Sequence, residues 1–153
     1  MIWRLCAALV GNAAADDLAQ ETFLRATRAL PQFRGQASGR TWILSIARRT
    51  CMDDLRVRYR RERRAARLTR EAFSNHVPDA SGDLATRDLL IHLEPDRRIA
   101  FVLTQLFELS YEEAAAVCEC PIGTIRSRVA RARNDLICLI EAPAAASPRQ
   151  TAD

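Results

Sequence analysis

The amino-acid composition predicts an all-α protein. Only 6% of the residues are aromatic and only 5 are glycine, which fits a β-sandwich or a barrel poorly. Ala, Arg and Leu are abundant, and these residues form helices readily. Hydrophobic residues make up 48% of the 153-residue chain, which is enough for a packed core and argues against global disorder.

The N-terminal segment predicts a short packed helix, because Ile2, Leu5, Cys6 and Leu9 recur at helical spacing. The segment also resembles a signal peptide, but its apolar run is too short for that role. No stretch approaches the ~20 apolar residues that are needed to cross a bilayer. We therefore expect a cytoplasmic protein with no membrane insertion.

A second helix is expected after a Gly-Asn turn, with Asp16 and Asp17 in its first turn, where acidic side chains suit the helix dipole. Pro31 should end this helix. A loop with two glycines covers residues 33–39. Thr41 is then expected to cap a long third helix, which runs into a series of arginines.

The helical pattern is lost at about 68–83, where the composition is typical of a linker. The sequence thus predicts two small helical domains, at 1–67 and 84–141, joined by a flexible linker at 68–83. Residues 142–153 are expected to form a disordered tail. Because few apolar residues connect the two domains, we expect them to move independently.

Four helices are expected in the second domain, the first at about 83–93 and the next beginning at Pro95. Ser110 and Glu113 match a capping box at the start of the third helix. Pro121 should lie in the first turn of the last helix. The short connection between the last two helices predicts a helix-turn-helix.

The last helix has two faces of opposite character. Its apolar residues share one face that should pack inward, namely Ile125, Val129, Ala132 and Leu136. Its opposite face presents cations and small residues, namely Arg126, Ser127, Ala130, Arg131 and Arg133. Arg can pair with guanine edges or with phosphates, so this division is typical of a DNA recognition helix. The alternative is a structural helix with a solvated arginine face.

The charges are strongly segregated along the chain. Between Arg34 and Arg70 there are twelve arginines and three acids, a balance of +9, whereas the stretch from Glu71 to Glu119 has ten acids and three arginines, a balance of −7. The basic block predicts a polyanionic partner. Every Lys or Arg position of the chain is Arg, which suits phosphate binding because the guanidinium is a planar bidentate donor. Codon bias in a GC-rich genome, which also favours Arg over Lys, is a second explanation.

The sequence contains no arrangement of residues that is typical of an enzyme or of a metal site. The five cysteines have no disulfide-like spacing and are expected to be reduced, mostly buried thiols: Cys6, Cys51, Cys118, Cys120 and Cys138. No histidine is suitably spaced to complete a zinc site with Cys118 and Cys120. We find no Ser-His-Asp set and no Gly-rich phosphate loop, so we expect no catalytic residue, no metal and no cofactor.

Two separate groups of motifs resemble one known family. LSYEEAA at 109–115 and PIGTIRSRVARAR at 121–133 are similar to the promoter-binding region 4 of extracytoplasmic-function (ECF) sigma factors. DDLAQETFLRA at 16–26, with FRG at 33–35 and RTWI at 40–43, resembles region 2 of the same family. The resemblance covers residues 1–141 and implies a non-enzymatic protein that binds core RNA polymerase and directs it to promoters.

The resemblance implies three sets of contact residues and several partners. A −35-type DNA element would be bound by Thr124, Arg126, Ser127, Arg128, Ala130 and Arg131. A −10-type element would be bound and melted by Gln36, Ala37, Ser38, Trp42, Arg48, Arg49 and Arg56. The β′ coiled coil of the polymerase would be bound by Asp17, Gln20 and Glu21. The β flap, promoter DNA and an anti-sigma factor are the further partners that the family implies.

Some positions leave alternatives open. The family usually has Asn where this chain has Arg49, so a cation replaces a neutral hydrogen-bonding side chain at the first melted step. Trp42 shares helical spacing with Ile46 and can belong to the core instead of stacking on DNA. The family's first helix has more residues before Trp3, which indicates either a start upstream of Met1 or a short first helix.

A stand-alone helix-turn-helix repressor or activator is the alternative function. Such a protein would explain the second domain but not the motifs of the first. Strong binding to promoter DNA without the polymerase would favour this alternative.

Overall fold

The computed structural model describes residues 1–68 and 89–141, with side chains as far as Arg61 in the first range. We call these ranges the first half and the second half. Every element in them is helical, which confirms the expected all-α fold. The longer helices are α1 (Ile2–Val10), α2 (Asn12–Ala29), α3 (Gly39–Leu68), α4 (Pro95–Phe101), α5 (Tyr111–Cys118) and α6 (Ile122–Glu141).

Two shorter segments complete the described elements. A 3-10 turn at Leu30–Gln32 follows α2, and a π-helical turn at Val102–Leu106 extends α4. The second half begins with the helical residues 89–91, so the start of the expected helix at 83–93 lies outside the described residues. The predicted linker, from residue 69 onward, and the predicted tail also lie outside them.

The connection between α1 and α2 is a single residue. Gly11 has a φ of 88°, which side-chain-bearing residues rarely adopt, and its N–H donates to the carbonyl of Ala7. α2 therefore begins at Asn12, and the expectation that Asp16 and Asp17 open the helix is wrong. The intervening alanines are strong helix formers, so they extend α2 toward its N-terminus and leave both acids in the second turn.

The start of α3 differs from the expectation as well. Ser38 is the N-cap, because its Oγ accepts the backbone N–H of Thr41 at 3.0 Å. The Thr41 hydroxyl lies 2.9 Å from the same oxygen, inside the first turn, and only 6% of the residue is exposed. The prediction that Thr41 caps the helix is therefore wrong by three positions. The role of Pro31 is confirmed, since α2 ends at Ala29, just before the turn that contains it.

The capping box of α5 is confirmed in both directions. The Glu113 N–H donates to Ser110 Oγ at 3.1 Å, and the Ser110 N–H donates to Glu113 Oε2 at 2.9 Å. α5 ends at Cys118, and Glu119 follows it in the left-handed conformation with a φ of 54°. Pro121 precedes α6 and does not lie in its first turn, and the Pro121 carbonyl accepts the N–H of Thr124 at 2.9 Å.

One continuous apolar core joins the two halves. It includes Leu5 and Leu44 from the first half and Leu103 and Ile125 from the second, none of which is exposed. α3 packs against α5, and α1 touches α4. The two halves are therefore packed together in this structure, through helix faces. The expectation that they move independently stays a prediction.

Candidate nucleic-acid interface

The recognition-helix pattern of α6 is present in the structure. Ile125, Val129 and Ala132 are at most 1% exposed, and Leu136 is partly buried against them. The side chains of the opposite face are exposed, namely Arg126, Ser127, Ala130, Arg131 and Arg133. The helix therefore has an apolar back that is held by the core and a cationic front that is open to solvent.

Arg128 does not belong to this open front. Its guanidinium pairs with the carboxylate of Asp96 on α4 and lies 3.8 Å from the Cys120 sulfur. Arg97 of α4 forms a second pair with Asp135 of α6, at 2.7 Å. This hydrogen bond to Asp135 raises the pKa of Arg97. The two ion pairs fix the orientation of α6 on α4, and so the direction of its exposed arginines.

The loop before α3 presents the first −10-type candidates. Gln36, Ala37 and Ser38 are exposed, and Ser38 also caps the helix. Trp42 is half-buried, and its ring packs on Phe33 with a centroid distance of 4.9 Å and a tilt of 44°. Sequence reasoning used Phe33 only as part of a motif and missed this pairing. The signal that could have found it is the presence of an aromatic residue on each side of a glycine-containing loop.

The arginines that follow on α3 have different surroundings. Arg56 is exposed and lies 3.6 Å from Asp53, whereas Arg48 is half-buried. Arg49 is paired with Glu119 of the second half, although 55% of its side chain remains exposed. The three residues thus lie on one helix, and Arg49 is the one of them with a described ion pair to the second half.

A second arginine of α3 also bonds across the two halves. Arg40 donates to the carbonyl oxygen of Phe107 at 2.6 Å, in the loop that follows the π-helical turn. Sequence reasoning did not identify the partners Phe107 and Glu119. Neither could be found from spacing, because the contacts join residues that are 67 and 70 positions apart.

Arg98 is a buried cation at the junction of the two halves, and only 5% of it is exposed. Its guanidinium donates to the carbonyls of Leu9 in α1, of Ile91, and of Leu93 at 2.9 Å. Burial lowers the pKa of Arg98 to about 10, so it remains protonated near neutrality. Sequence reasoning did not single out this residue.

The candidate polymerase contacts lie on α2. Asp17 and Gln20 are exposed, whereas Glu21 is partly buried and bonds Arg25 at 2.7 Å. Arg25 also bonds Asp53 of α3 at 3.0 Å. Both carboxylates raise the pKa of Arg25, Glu21 first. Glu21 therefore helps to hold α2 on α3, and Asp17 and Gln20 are the freer pair.

The same helix exposes apolar surface. Phe23 and Leu24 are each 53% exposed. Large exposed apolar side chains beside polar ones are typical of a protein-binding surface.

The described residues contain no group of three or more side chains that could hold a metal ion. None of their helices has the length and apolar character to span a membrane.

All five cysteines are free. The buried thiols of Cys6 and Cys51 hydrogen-bond to each other, which raises the pKa of Cys51. Burial raises the pKa of the Cys118 thiol to about 11.

Two family models and several known proteins match the chain. The model described as Sigma-70 region 2 matches residues 1–64, and that described as Sigma-70, region 4 matches residues 83–136. The probable RNA polymerase sigma-C factor of Mycobacterium bovis is 47% identical over 145 residues, which are 89% of this chain and 75% of the relative. The ECF RNA polymerase sigma factor EcfG of Rhodopseudomonas palustris is 37% identical over 139 residues, 86% of this chain and 75% of the relative.

Solved structures agree with these matches. The sigma factor RpoE from Bartonella quintana, in complex with the anti-sigma factor NepR, gives a TM-score of 0.75 at 30% identity and covers 93% of this chain and 91% of that one. CnrH, in complex with the cytosolic domain of CnrY, gives a TM-score of 0.66 at 29% identity and covers 93% and 80% of the respective chains.

Proposed function

This chain belongs to the ECF group of bacterial RNA polymerase sigma factors, and we propose that it binds core polymerase and reads promoters through both of its halves. It directs transcription initiation by binding and catalyses no reaction itself. The observation that carries this proposal is the divided face of α6, which has an apolar back with at most 1% exposure and a front of exposed arginines. We place the protein in the cytoplasm, where the polymerase works.

We assign the −35-type element to the front of α6. Arg126 and Arg131 are the proposed base or phosphate contacts, because both are exposed and neither is held in a described ion pair. Ser127 and the small Ala130 lie between them and allow close approach to a groove. Thr124 is half-buried at the start of the helix and is the outermost candidate.

Arg128 positions α6 through Asp96, so its proposed role in DNA binding is indirect.

We assign the −10-type element to the loop at 36–38 and to α3. Trp42 and Phe33 provide an aromatic surface next to that loop, on which a base can stack. Arg48, Arg49 and Arg56 continue along the helix as the path of the separated strand. A flipped base costs a few kcal/mol of unpairing, which stacking and ionic contacts along this path would offset.

We assign the polymerase surface to α2. Asp17 and Gln20 are exposed beside the apolar side chains of Phe23 and Leu24, a combination that suits a protein partner. The β′ coiled coil is the proposed partner of this surface, and the β flap is proposed to bind the second half. An anti-sigma factor is a further proposed partner, because the solved RpoE relative is bound to one.

Run-off transcription tests the function. Core polymerase with this protein should give discrete transcripts from a library of genomic fragments, and core polymerase alone should not. The protein without polymerase should retain few fragments on a filter. Equal retention with and without polymerase would favour the stand-alone regulator and contradict the proposal.

A further inference from the structure

One arginine on the front of α6 is held by a neutral side chain. Arg133 is exposed, and its Nη2 donates to Oε1 of Gln105 at 3.0 Å. Gln105 is exposed as well and lies in the π-helical turn that extends α4. An amide partner orients a guanidinium without neutralising it, so Arg133 keeps its positive charge while its direction is fixed.

The amide of Gln105 is itself oriented by Thr104. The Thr104 hydroxyl donates its proton to the carbonyl of Ala100 at 2.8 Å. Its oxygen can then only accept from Gln105, and it receives the Nε2 N–H at 3.0 Å. The amide oxygen is left to face Arg133, because a guanidinium can only donate. These groups form a chain of hydrogen bonds that starts on the backbone of α4 and ends at Arg133.

The bond from Arg133 is not needed to hold α6 in place. Arg128 and Asp135 of the same helix already form ion pairs with α4. The apolar back of α6 is buried in the core, where Ile125 is fully buried. A hydrogen bond between two exposed side chains adds little to this packing. Its contribution therefore lies in the direction that it gives to the guanidinium.

The position of Arg133 on α6 indicates which part of DNA it faces. Arg126 and Arg133 are seven residues apart, which is nearly two turns, so they share one face at a separation of about 10 Å along the axis. The residues of a recognition helix that contact base edges lie near its N-terminus. Arg133 is the twelfth residue of α6, beyond that part. It is therefore placed for the sugar-phosphate backbone and not for a base edge.

We propose that Arg133 contacts a phosphate of the −35-type element and that Gln105 is the positioning residue for this contact. The inference rests on the proposed function, because it takes the front of α6 as the surface that meets DNA. The bond to Gln105 uses one of the five N–H donors of the guanidinium, so the amide and a phosphate can be held at the same time. Because Gln105 orients the side chain before DNA arrives, less conformational entropy is lost on binding.

Salt titration of promoter binding by the holoenzyme tests the phosphate contact. The probe is a promoter fragment recovered by run-off transcription. Arg133→Ala should lower the affinity about tenfold and reduce the slope of log affinity against log salt by about 1, because one phosphate contact is lost. Arg133→Lys should restore the slope, since the charge returns. Arg4→Ala is the control, because Arg4 is exposed on α1 outside every proposed contact surface, and it should leave affinity and slope unchanged.

A double-mutant cycle tests the positioning role of Gln105. Gln105→Ala should lower the affinity about two- to fivefold with an unchanged salt slope, because the cation remains but is no longer oriented. In the Arg133→Ala background the same substitution should have no further effect, since Gln105 acts only through Arg133. Gln32→Ala is the matched control, because Gln32 is an exposed glutamine of the first half, and it should leave the affinity unchanged.

Three results would contradict these assignments. An unchanged salt slope in Arg133→Ala, on a promoter that the wild type transcribes, would overturn the phosphate contact. Additive losses in the double variant would overturn the positioning role of Gln105. Failure of the wild type to support run-off transcription would overturn the proposed function, and this inference with it. Circular dichroism should show full helical content in each variant, which separates weaker DNA binding from unfolding.

Discussion

At the scale of single residues, Arg98 shows how a buried charge can serve a fold. Its guanidinium gives donors to three backbone carbonyls, those of Leu9, Ile91 and Leu93. The Leu9 carbonyl belongs to the last turn of α1, where helix carbonyls lack partners of their own. The helix dipole also favours a cation at that end. Arg98 thus stabilises a helix end in one half from a position in the other.

We predict that Arg98→Met lowers the free energy of unfolding by about 3 kcal/mol, because buried carbonyls lose their donors. Arg97→Met is the neighbouring control and should lower the stability much less, because Arg97 forms a partly exposed ion pair with Asp135. Denaturant titration of both variants measures the difference. Equal losses would contradict a specific role for Arg98.

Burial of the Cys118 thiol predicts that the folded protein loses stability at alkaline pH. Its pKa rises from an ordinary value of 9.0 to about 11 because the thiol is buried. The unfolded chain therefore releases this proton at lower pH than the folded chain. The stabilising contribution is complete below about pH 9 and is lost as the pH rises through about 11.

We predict that the wild type loses up to about 3 kcal/mol more stability than Cys118→Ala between pH 8 and 11. The comparison uses the slope with pH in each protein, so the cavity that the substitution leaves does not enter it. Denaturant titrations at several pH values supply the slopes. Parallel slopes for the two proteins would show that Cys118 does not titrate in this range.

At the scale of elements, α6 separates the residues that we propose as DNA contacts from the residues that hold the helix on the core. We predict that Arg126→Ala or Arg131→Ala lowers the affinity of the holoenzyme for its promoter by about 1–3 kcal/mol if the side chain pairs with a base. A phosphate contact would weaken all sequences alike and reduce the salt slope by about 1. Arg128→Ala should instead lower the melting temperature, because it removes the pair with Asp96. If neither Arg126→Ala nor Arg131→Ala changes the affinity on any template, α6 is not the DNA recognition helix.

The α2 surface yields a separate prediction about polymerase binding. Asp17→Ala with Gln20→Ala should weaken retention on the isolated β′ coiled coil and leave the helical content unchanged, because both side chains are exposed. Glu21→Ala is expected to lower stability as well, because Glu21 holds Arg25. A pull-down together with circular dichroism distinguishes the two effects. Full retention of the double variant would remove this surface from the interface.

The sequence predicted these elements well where the signal is local. The capping box of Ser110 and Glu113, the stop at Pro31 and the two faces of α6 each depend on residues within a few turns. The error at the start of α3 arose because neighbouring residues offered equivalent signals. Ser38 and Thr41 can both cap a helix, and only the position of the first turn decides between them.

At the scale of the whole molecule, local signals carry no information about how the two halves meet. Arg49 was singled out in the sequence because it departs from its family, but its partner Glu119 is 70 positions away. The Arg98 bond to Leu9 spans 89 positions. Such pairs depend on tertiary packing, which neither periodicity nor linker composition encodes. The family resemblance identified the function, whereas the packing of the two halves on each other required coordinates.

The continuous core leads to a prediction about unfolding. Both tryptophans, Trp3 and Trp42, lie in the first half, so tryptophan fluorescence reports on that half alone. Ile125 is fully buried in the second half. If the halves unfold as one unit, Ile125→Ala should lower the fluorescence-detected stability by about 2–5 kcal/mol, although the substitution lies far from either tryptophan in sequence.

Ile140→Ala is the control on the same helix, and it should change the fluorescence transition little because Ile140 is 67% exposed. Helical circular dichroism, which follows both halves, should give the same midpoint as fluorescence for every variant. If Ile125→Ala leaves the midpoint of the fluorescence transition unchanged and adds an earlier step in circular dichroism, the halves unfold separately. The shared core would then be too weak to couple the two halves.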